Sequence, residues 1–549
     1  MKKHILISTL LFIFACSMPE VDKVYYNGNI WTGDSDNPFA EAIAVFQDRI
    51  IFVGNNENAM ILAGDQTDKI DLKGAFVTPG LMDNHTHFMW GGFQIFSVNL
   101  REVSSKKEFQ RRIKEFAQNL PDGAWMLNGN WDHELWGGEL PDKSWIDDVI
   151  PNIPVHIGRL DGHMSLANQK AMDLANVNRQ TSSPAGGIII KDKDGNPTGV
   201  FKDEAMGLIS RAEPPKTQGE LDRAFQAAMD FALSIGVTQV HDMGSWEDLE
   251  TYIRAKEDGW LKIRIKAFPW YTNWERILSR VETHGPGDDW LRWDGIKGMI
   301  DGSLGSRTGW MYDPYLDDPS TRGIITLEDT TMFKKILRET DRANIQHAVH
   351  AIGDRANDWI LNQFAEIRQE NGKRDRRPRI EHAQHLSKSA VNRFADEHII
   401  PSMQPYHVFD DASWAHKRID PDRLSRTYYF NTLLKSGANL TFGSDWTVAP
   451  LSPIKGIYAA ITRHTRDGKN PDGWYPDERL NVEEVLQCYT INNAYAAFRE
   501  DITGSISMGK YADFVVHSVD FLTVTPDEIL NSKVMRTVVG GKDVYILDK

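Results

Sequence analysis

From residue 77 to residue 503, short apolar runs alternate with longer stretches of helical period. Runs of strand length include "AFVTPGLMD", "AWMLNGN", "PVHIGR", "GVTQVHD", "IRIKAFPW", "IKGMID", "IQHAVHA", "RPRIEHAQ", "IIPSMQP" and "NLTFGSD". Helical spacing is clear in "GELDRAFQAAMDFALSIG" and "NVEEVLQCYTINNAYAAF". Strands alternating with helices imply a parallel sheet, and this many of them predict an α/β fold, a closed (β/α)8 TIM-like barrel. Ten runs compete for eight places, so two lie outside the barrel wall.

The two ends of the chain have a different texture. "KVYYNGNIWTG" reads as strand, turn and strand, and "EAIAVFQDRIIFVGN" as a hairpin. "YADFVVHSVD" and "VMRTVVGGKDVYILD" repeat that pattern near the C-terminus. These features predict a small β-sandwich domain built from 21–76 and 504–549, flanking a barrel over 77–503. A region around 130–215, rich in Trp, Pro and Gly, reads as an insertion able to cover the barrel mouth. Within it Asp192, Asp194 and Asn196 have the spacing of a calcium loop, but Pro197 stands where that loop needs glycine, so a plain hairpin turn is expected. Residues 1–16 carry two lysines, an apolar run from Ile5 to Ala15, and Cys16. The run is too short to span a bilayer and reads as an export signal, with Cys16 in a box resembling that of bacterial lipoproteins. The expectation is an exported protein, periplasmic or anchored to the outer membrane by a lipid on Cys16.

Composition narrows the chemistry. A net charge of -15 with scattered basic residues argues against nucleic acid and anionic membrane surfaces and for a small-molecule substrate; a homodimer is the one protein association considered. Two cysteines, Cys16 and Cys488, exclude a disulfide scaffold and a cysteine-rich zinc site. A metal here must use histidine, carboxylate or a less usual ligand.

In "VTPGLMDNHTHFMW", Pro79-Gly80 bends the chain into the first barrel strand, and Asp83, His85 and His87 follow on alternate positions, hence on one side of a strand. Asp83, deeper on that side, is expected to orient a ligand histidine. Other strand ends offer Lys297, His350, His382 and Asp445, and parallel barrel strands deliver such ends to one face. Four imidazoles and a carboxylate exceed the needs of one catalytic ion, whereas two ions sharing a bridge use them all. His347 is the alternative to His350, His385 falls past its strand, and Asp445 has the competing role of helix cap. A lysine beside metals must be modified or displaced.

The stretches "TPGLMDNHTH", "LDGHMSLAN", "KGMIDGSLGSRTGWMYDPY", "HAVHAIGDRA", "RPRIEHAQHL", "FGSDWTVAP" and "TGSISMGKYADFVV" appear in order along nearly the whole chain. In them the protein resembles the amidohydrolase superfamily, and more narrowly the branch holding N-substituted formamide deformylases and related exported hydrolases. That resemblance implies one or two divalent ions, zinc first among them. It implies His85 and His87 on the more buried ion, His350 and His382 on the second, and Asp445 both binding metal and moving protons. It further implies that Lys297 reacts with CO2 to give a carbamate bridging the cations. By the same resemblance His163 and Arg307 are substrate contacts, although Arg307 serves equally well to stitch loops together. Trp131, Trp136, Trp310 and Trp446 are candidates for an aromatic pocket or for the core. Such ions bring bound water toward deprotonation at neutral pH and polarise a carbonyl, while Asp445 takes a proton and returns it to the leaving nitrogen. The expected function is hydrolysis of amide-type C–N bonds outside proteins. The alternatives are esters, lactones or other small molecules on the same metal site, or an inactive exported binding protein.

Overall fold

The computed structural model describes residues 21–121 and 123–548. The expected leader and Cys16 therefore lie outside the described residues. No helix among them is long and apolar enough to cross a membrane.

Eight parallel strands carry the centre: β1 (Leu81–Thr86), β2 (Val237–Asp242), β3 (Arg264–Ala267), β4 (Gly295–Met299), β5 (Gln346–Ala351), β6 (Arg379–His382), β7 (Ile400–Met403) and β8 (Thr441–Phe442). One sheet runs β1-β2-β3 and ends on the two-residue strand Leu291–Arg292; the other runs β4-β5-β6-β7-β8. Isolated parallel bridges join their outer edges, Trp270 with Lys297 and Thr86 with Trp446. Backbone hydrogen bonds run along both seams, from Lys297 N–H to the Pro269 carbonyl (2.9 Å) and from Asp445 N–H to the His85 carbonyl (2.7 Å). Of the ten sequence candidates, eight supply these strands. The other two, Met126–Trp131 and Val155–Arg159, pair with each other in a separate five-stranded sheet.

Helices separate consecutive strands. The longest, Gln218–Ser234, starts at a capping box between Thr217 and Glu220 and buries Ala224, Phe225, Ala228, Met229, Ala232 and Leu233. That spacing keeps one apolar stripe inward along the whole helix, which explains why its limits were legible. The second predicted helix breaks in two, Val482–Tyr489 and Ile491–Ala496, where Thr490 leaves helical geometry (φ -128°, ψ -94°). The break turns Asn493 toward the strands. Its amide donates to the carbonyls of Met82 in β1 and Phe442 in β8, 2.8 Å each, across the second seam.

The ends of the chain pair with each other. Phe514–His517 lies antiparallel to Phe76–Pro79 in a six-stranded sheet, and a four-stranded sheet contains Lys23–Tyr26, Ala42–Phe46, Arg49–Gly54 and Asp68–Asp71. Tyr25, Ile43, Val45 and Ile50 of the smaller sheet share an apolar cluster with Ile30, Val77, Phe514 and Val538 of the larger. Between Pro79 and Leu81 the chain passes from this layer into β1 through Gly80. A Cβ there would sit 2.2 Å from Thr238 Oγ1, so no larger residue fits the crossing.

The five-stranded sheet also holds Met164–Ala167, Gly187–Lys191 and Pro197–Asp203. In its hairpin the Asp192 carboxylate accepts from the N–H groups of Asp194 (2.9 Å) and Asn196 (2.8 Å), a turn and not a cation loop. Loops of this sheet reach over the C-terminal ends of the parallel strands.

Candidate active site

Those strand ends surround a cavity of about 500 Å³. His87, Lys297, His350, His382 and Asp445 line it together with His163, and His85 lies fully buried just beneath. Residues more than 200 positions apart in sequence thus meet at one rim. Ring centroids are 5.0 Å apart for His85 and His382 and 4.5 Å for His350 and His382. One ligand-type atom from each of His85, His382 and Asp445 lies within 4.8 Å of the others. Backbone geometry contributes to the aim: His382 (φ 72°) and Asp445 (φ 59°) both sit in the left-handed region, which costs energy for side chains bearing a Cβ.

Each imidazole is fixed from behind through one nitrogen. His85 Nδ1 meets Glu381 Oε2 at 2.6 Å, His87 Nδ1 the Met243 carbonyl at 2.9 Å, and His382 Nδ1 the Gln404 Oε1 at 2.7 Å. His350 Nε2 meets the Gly302 carbonyl at 3.2 Å. All four partners accept hydrogen bonds, so in a neutral ring each of these nitrogens carries the proton and the other presents a lone pair. The consequence is unusual. Asp445 Oδ1 lies 3.3 Å from His87 Nε2 and 3.5 Å from His85 Nε2, acceptor facing acceptor, and this buried oxygen has no hydrogen-bond partner among the described residues. Lone pairs that converge in this way repel unless a cation stands among them. The donor set therefore fits a divalent metal of the kind that takes nitrogen and oxygen ligands.

Protonation agrees with that fit. Burial pushes the His85 ring down to about 4 and holds His350 and His382 well below the ordinary imidazole range. Burial also pushes Lys297 down to about 8, so its amine, 3.2 Å from His85 Nε2, gives up its proton more readily than an exposed lysine.

Some expectations need correction. Asp83 does not orient a ligand ring; its Oδ1 accepts from the backbone N–H groups of His85 (3.1 Å) and Ser444 (2.9 Å), tying β1 to the loop that carries Asp445. Arg307 is absent from the cavity lining and pairs with Asp317 at 2.8 Å, the loop-stitching alternative. Its Nε and Nη2 both donate to that carboxylate, which Arg418 shares. Trp131 and Trp446 are core residues, and none of the four proposed tryptophans lines the cavity; Trp90, Trp270, Tyr271 and Trp414 do. His347, the alternative to His350, stays outside, bonding Thr340 Oγ1 (2.9 Å) and stacking on Phe364. His163 does face the cavity, held by Asp203 at 2.7 Å, with its ring 5.2 Å from that of His350.

Two residues escaped sequence reading. Glu381 is fully buried, bound by Arg379 Nε (2.8 Å) and by His85. Its signal was Arg379 and Glu381 two apart in one strand, side chains that share one face and pair. His407, on the helix Tyr406–Asp411 that follows β7, lies buried against His382 with rings 6.1 Å apart and 17° from parallel. Only its place soon after a strand end hinted at it.

The family model described as amidohydrolase family matches residues 68–545. The chain is 39% identical to Protein LONG AFTER FAR-RED 3 of Arabidopsis thaliana over 537 residues, covering 95% of this chain and 91% of that protein. It is 26% identical to N-substituted formamide deformylase of Arthrobacter pascens over 543 residues, covering 95% and 97%. An uncharacterised metal-dependent hydrolase of Pyrococcus horikoshii superposes with a TM-score of 0.74 at 26% identity, covering 92% of this chain and 99% of that one. With lone pairs gathered for a cation at a parallel-strand rim, and likeness that extends over nearly the whole length, the chain belongs to the amidohydrolase family and is a metal-dependent hydrolase.

Proposed function

We propose that this enzyme hydrolyses amide-type C–N bonds of small molecules, on a (β/α)8 barrel flanked by a β-sandwich formed from both chain ends. The seam bridges support closure of the barrel, and the cluster shared by the two flanking sheets supports the sandwich. The observation that carries the functional reading is the set of imidazole lone pairs turned on the unpartnered Asp445 Oδ1.

His85, His87, His350, His382 and Asp445 are the residues that would hold one or two divalent ions, zinc first among them. The chemistry supplied there is Lewis-acid polarisation of the scissile carbonyl and activation of water near neutral pH. Asp445 accepts a proton from the attacking water and hands it to the leaving nitrogen, which departs poorly unless protonated. Glu381, Met243, Gln404 and Gly302 hold the four rings in the required tautomers, a role whose loss weakens metal affinity by about 10- to 100-fold. His163, braced by Asp203 and beside His350 in the cavity lining, is placed to contact the substrate. The curated likeness to N-substituted formamide deformylase supports small formamides as the first substrates to try. The test is metal-dependent release of amine from a panel of N-formyl and N-acyl amines.

Lys297 is proposed to act as its carbamate. Its buried amine lies against His85 with burial favouring the uncharged, CO2-reactive form. Lys297→Ala is expected to lower bound metal and to regain part of it with added short carboxylates. Unchanged metal content would end the carbamate reading.

A further inference from the structure

The Asp445 carboxylate is divided between two neighbourhoods. Oδ1 faces the imidazoles of His85 and His87, while Oδ2 lies 3.9 Å from Nε2 of His407. That distance is too long for a hydrogen bond, and His407 Nε2, buried in the cavity wall, has no partner among the described residues. A buried polar atom left without a partner carries a cost unless something in the cavity meets it. Packing, and no hydrogen bond of its own among the described residues, positions the ring. It lies nearly parallel to His382, and Asp410, one turn further along the same helix, is clamped by Arg101 (2.5 Å) and by Arg466.

Two points 3.9 Å apart admit one polar atom within ordinary hydrogen-bond reach, about 2.8 to 3.0 Å, of both. We infer that this atom is the leaving nitrogen, and that His407 is a specificity-determining residue which accepts the hydrogen bond of a secondary amide N–H. Resting on the amide reading, the inference deepens it. The nitrogen's own hydrogen points to His407, so its lone pair, as it develops, turns to Asp445. No bond is made or broken at His407. Esters and N,N-disubstituted amides have no hydrogen to offer there, so the pocket selects secondary amides through a contact those analogues leave unmade.

The test compares N-butylformamide, N-butyl-N-methylformamide and butyl formate with wild-type, His407→Phe and His407→Gln enzymes. The phenyl ring keeps the stacking and removes the acceptor, whereas the glutamine amide restores an acceptor oxygen. His407→Phe is expected to lose about 10- to 100-fold in kcat/KM on N-butylformamide. On butyl formate it should stay within about threefold, with metal content unchanged and His407→Gln recovering part of the loss. In the metal-free protein, calorimetry should show tighter binding of N-butylformamide than of its N-methyl analogue for the wild type and no such preference for His407→Phe. Equal losses on amide and ester, a fall in metal content matching the fall in rate, or a preference that survives in metal-free His407→Phe overturns the inference. A wild type that cleaves only the ester overturns the amide reading instead, and the metal-free binding preference still decides the role of His407.

Discussion

Asp445→Asn is expected to lower turnover of the best amide substrate by about a thousandfold or more, at the upper end of what general acid–base catalysis contributes. The two oxygens of the carboxylate face different ways: Oδ1 is turned on the imidazole lone pairs and Oδ2 on the cavity. Asparagine keeps the shape and an oxygen able to meet a cation, but it cannot take up and return a proton. Fold should be preserved, because the backbone here is held by Asp83 through Ser444 N–H and by the Asp445 N–H bond to His85, neither of which uses the Asp445 side chain. Most metal should remain when the ion is supplied in excess. Released amine, far-ultraviolet circular dichroism and metal content are measured on the same preparation. Turnover within about tenfold of wild type would remove Asp445 from proton transfer.

Glu381→Gln is expected to damage stability and metal binding together. Arg379 and Glu381 are both fully buried and paired at 2.8 Å, and Arg379 also reaches His241 Nδ1 at 2.8 Å. The neutral amide leaves that guanidinium buried without its counter-charge, a loss of about 3 to 5 kcal/mol when one partner of a buried pair is removed. It also replaces the carboxylate behind His85 Nδ1 with a weaker acceptor, so metal affinity should drop by about 10- to 100-fold. Thermal unfolding with and without added metal separates the two effects: the melting midpoint of the metal-free variant falls, and added metal restores less than it does in wild type. An unchanged metal-free midpoint would show that Arg379 finds another partner and that Glu381 is not what holds the pair in place.

Both residues show what could be read in advance. Period-two and period-3.6 patterns exposed the alternation of strands and helices, because most of the parallel strands are short and apolar and the long helices carry one buried stripe. His85, His87, His350 and His382 were legible for a related reason: polar residues at the ends of apolar strands must have something to meet. Local pattern cannot say which strands share a sheet, so Met126–Trp131 and Val155–Arg159 read like barrel strands although they pair elsewhere. Arg307 was assigned by chemistry alone, and nothing in its neighbours announced that Asp317, ten residues on, would claim it. Glu381 and His407 needed the third dimension. Their neighbours His85 and Asp445 come from segments hundreds or tens of residues away, and proximity of that kind leaves no mark in either stretch. The break at Thr490 belongs to the same class, since Asn493 is drawn to the β1–β8 seam by two carbonyls distant in sequence.

The most direct measurement of the central claim is amine release from N-formyl and N-acyl amines by the purified enzyme, followed through metal removal and stepwise return of a single defined ion. The account predicts that activity vanishes in the metal-free protein and returns as one or two equivalents of divalent metal bind, with His85→Ala and His382→Ala failing to recover at that stoichiometry. Amide cleavage at full rate by protein stripped of metal would contradict it.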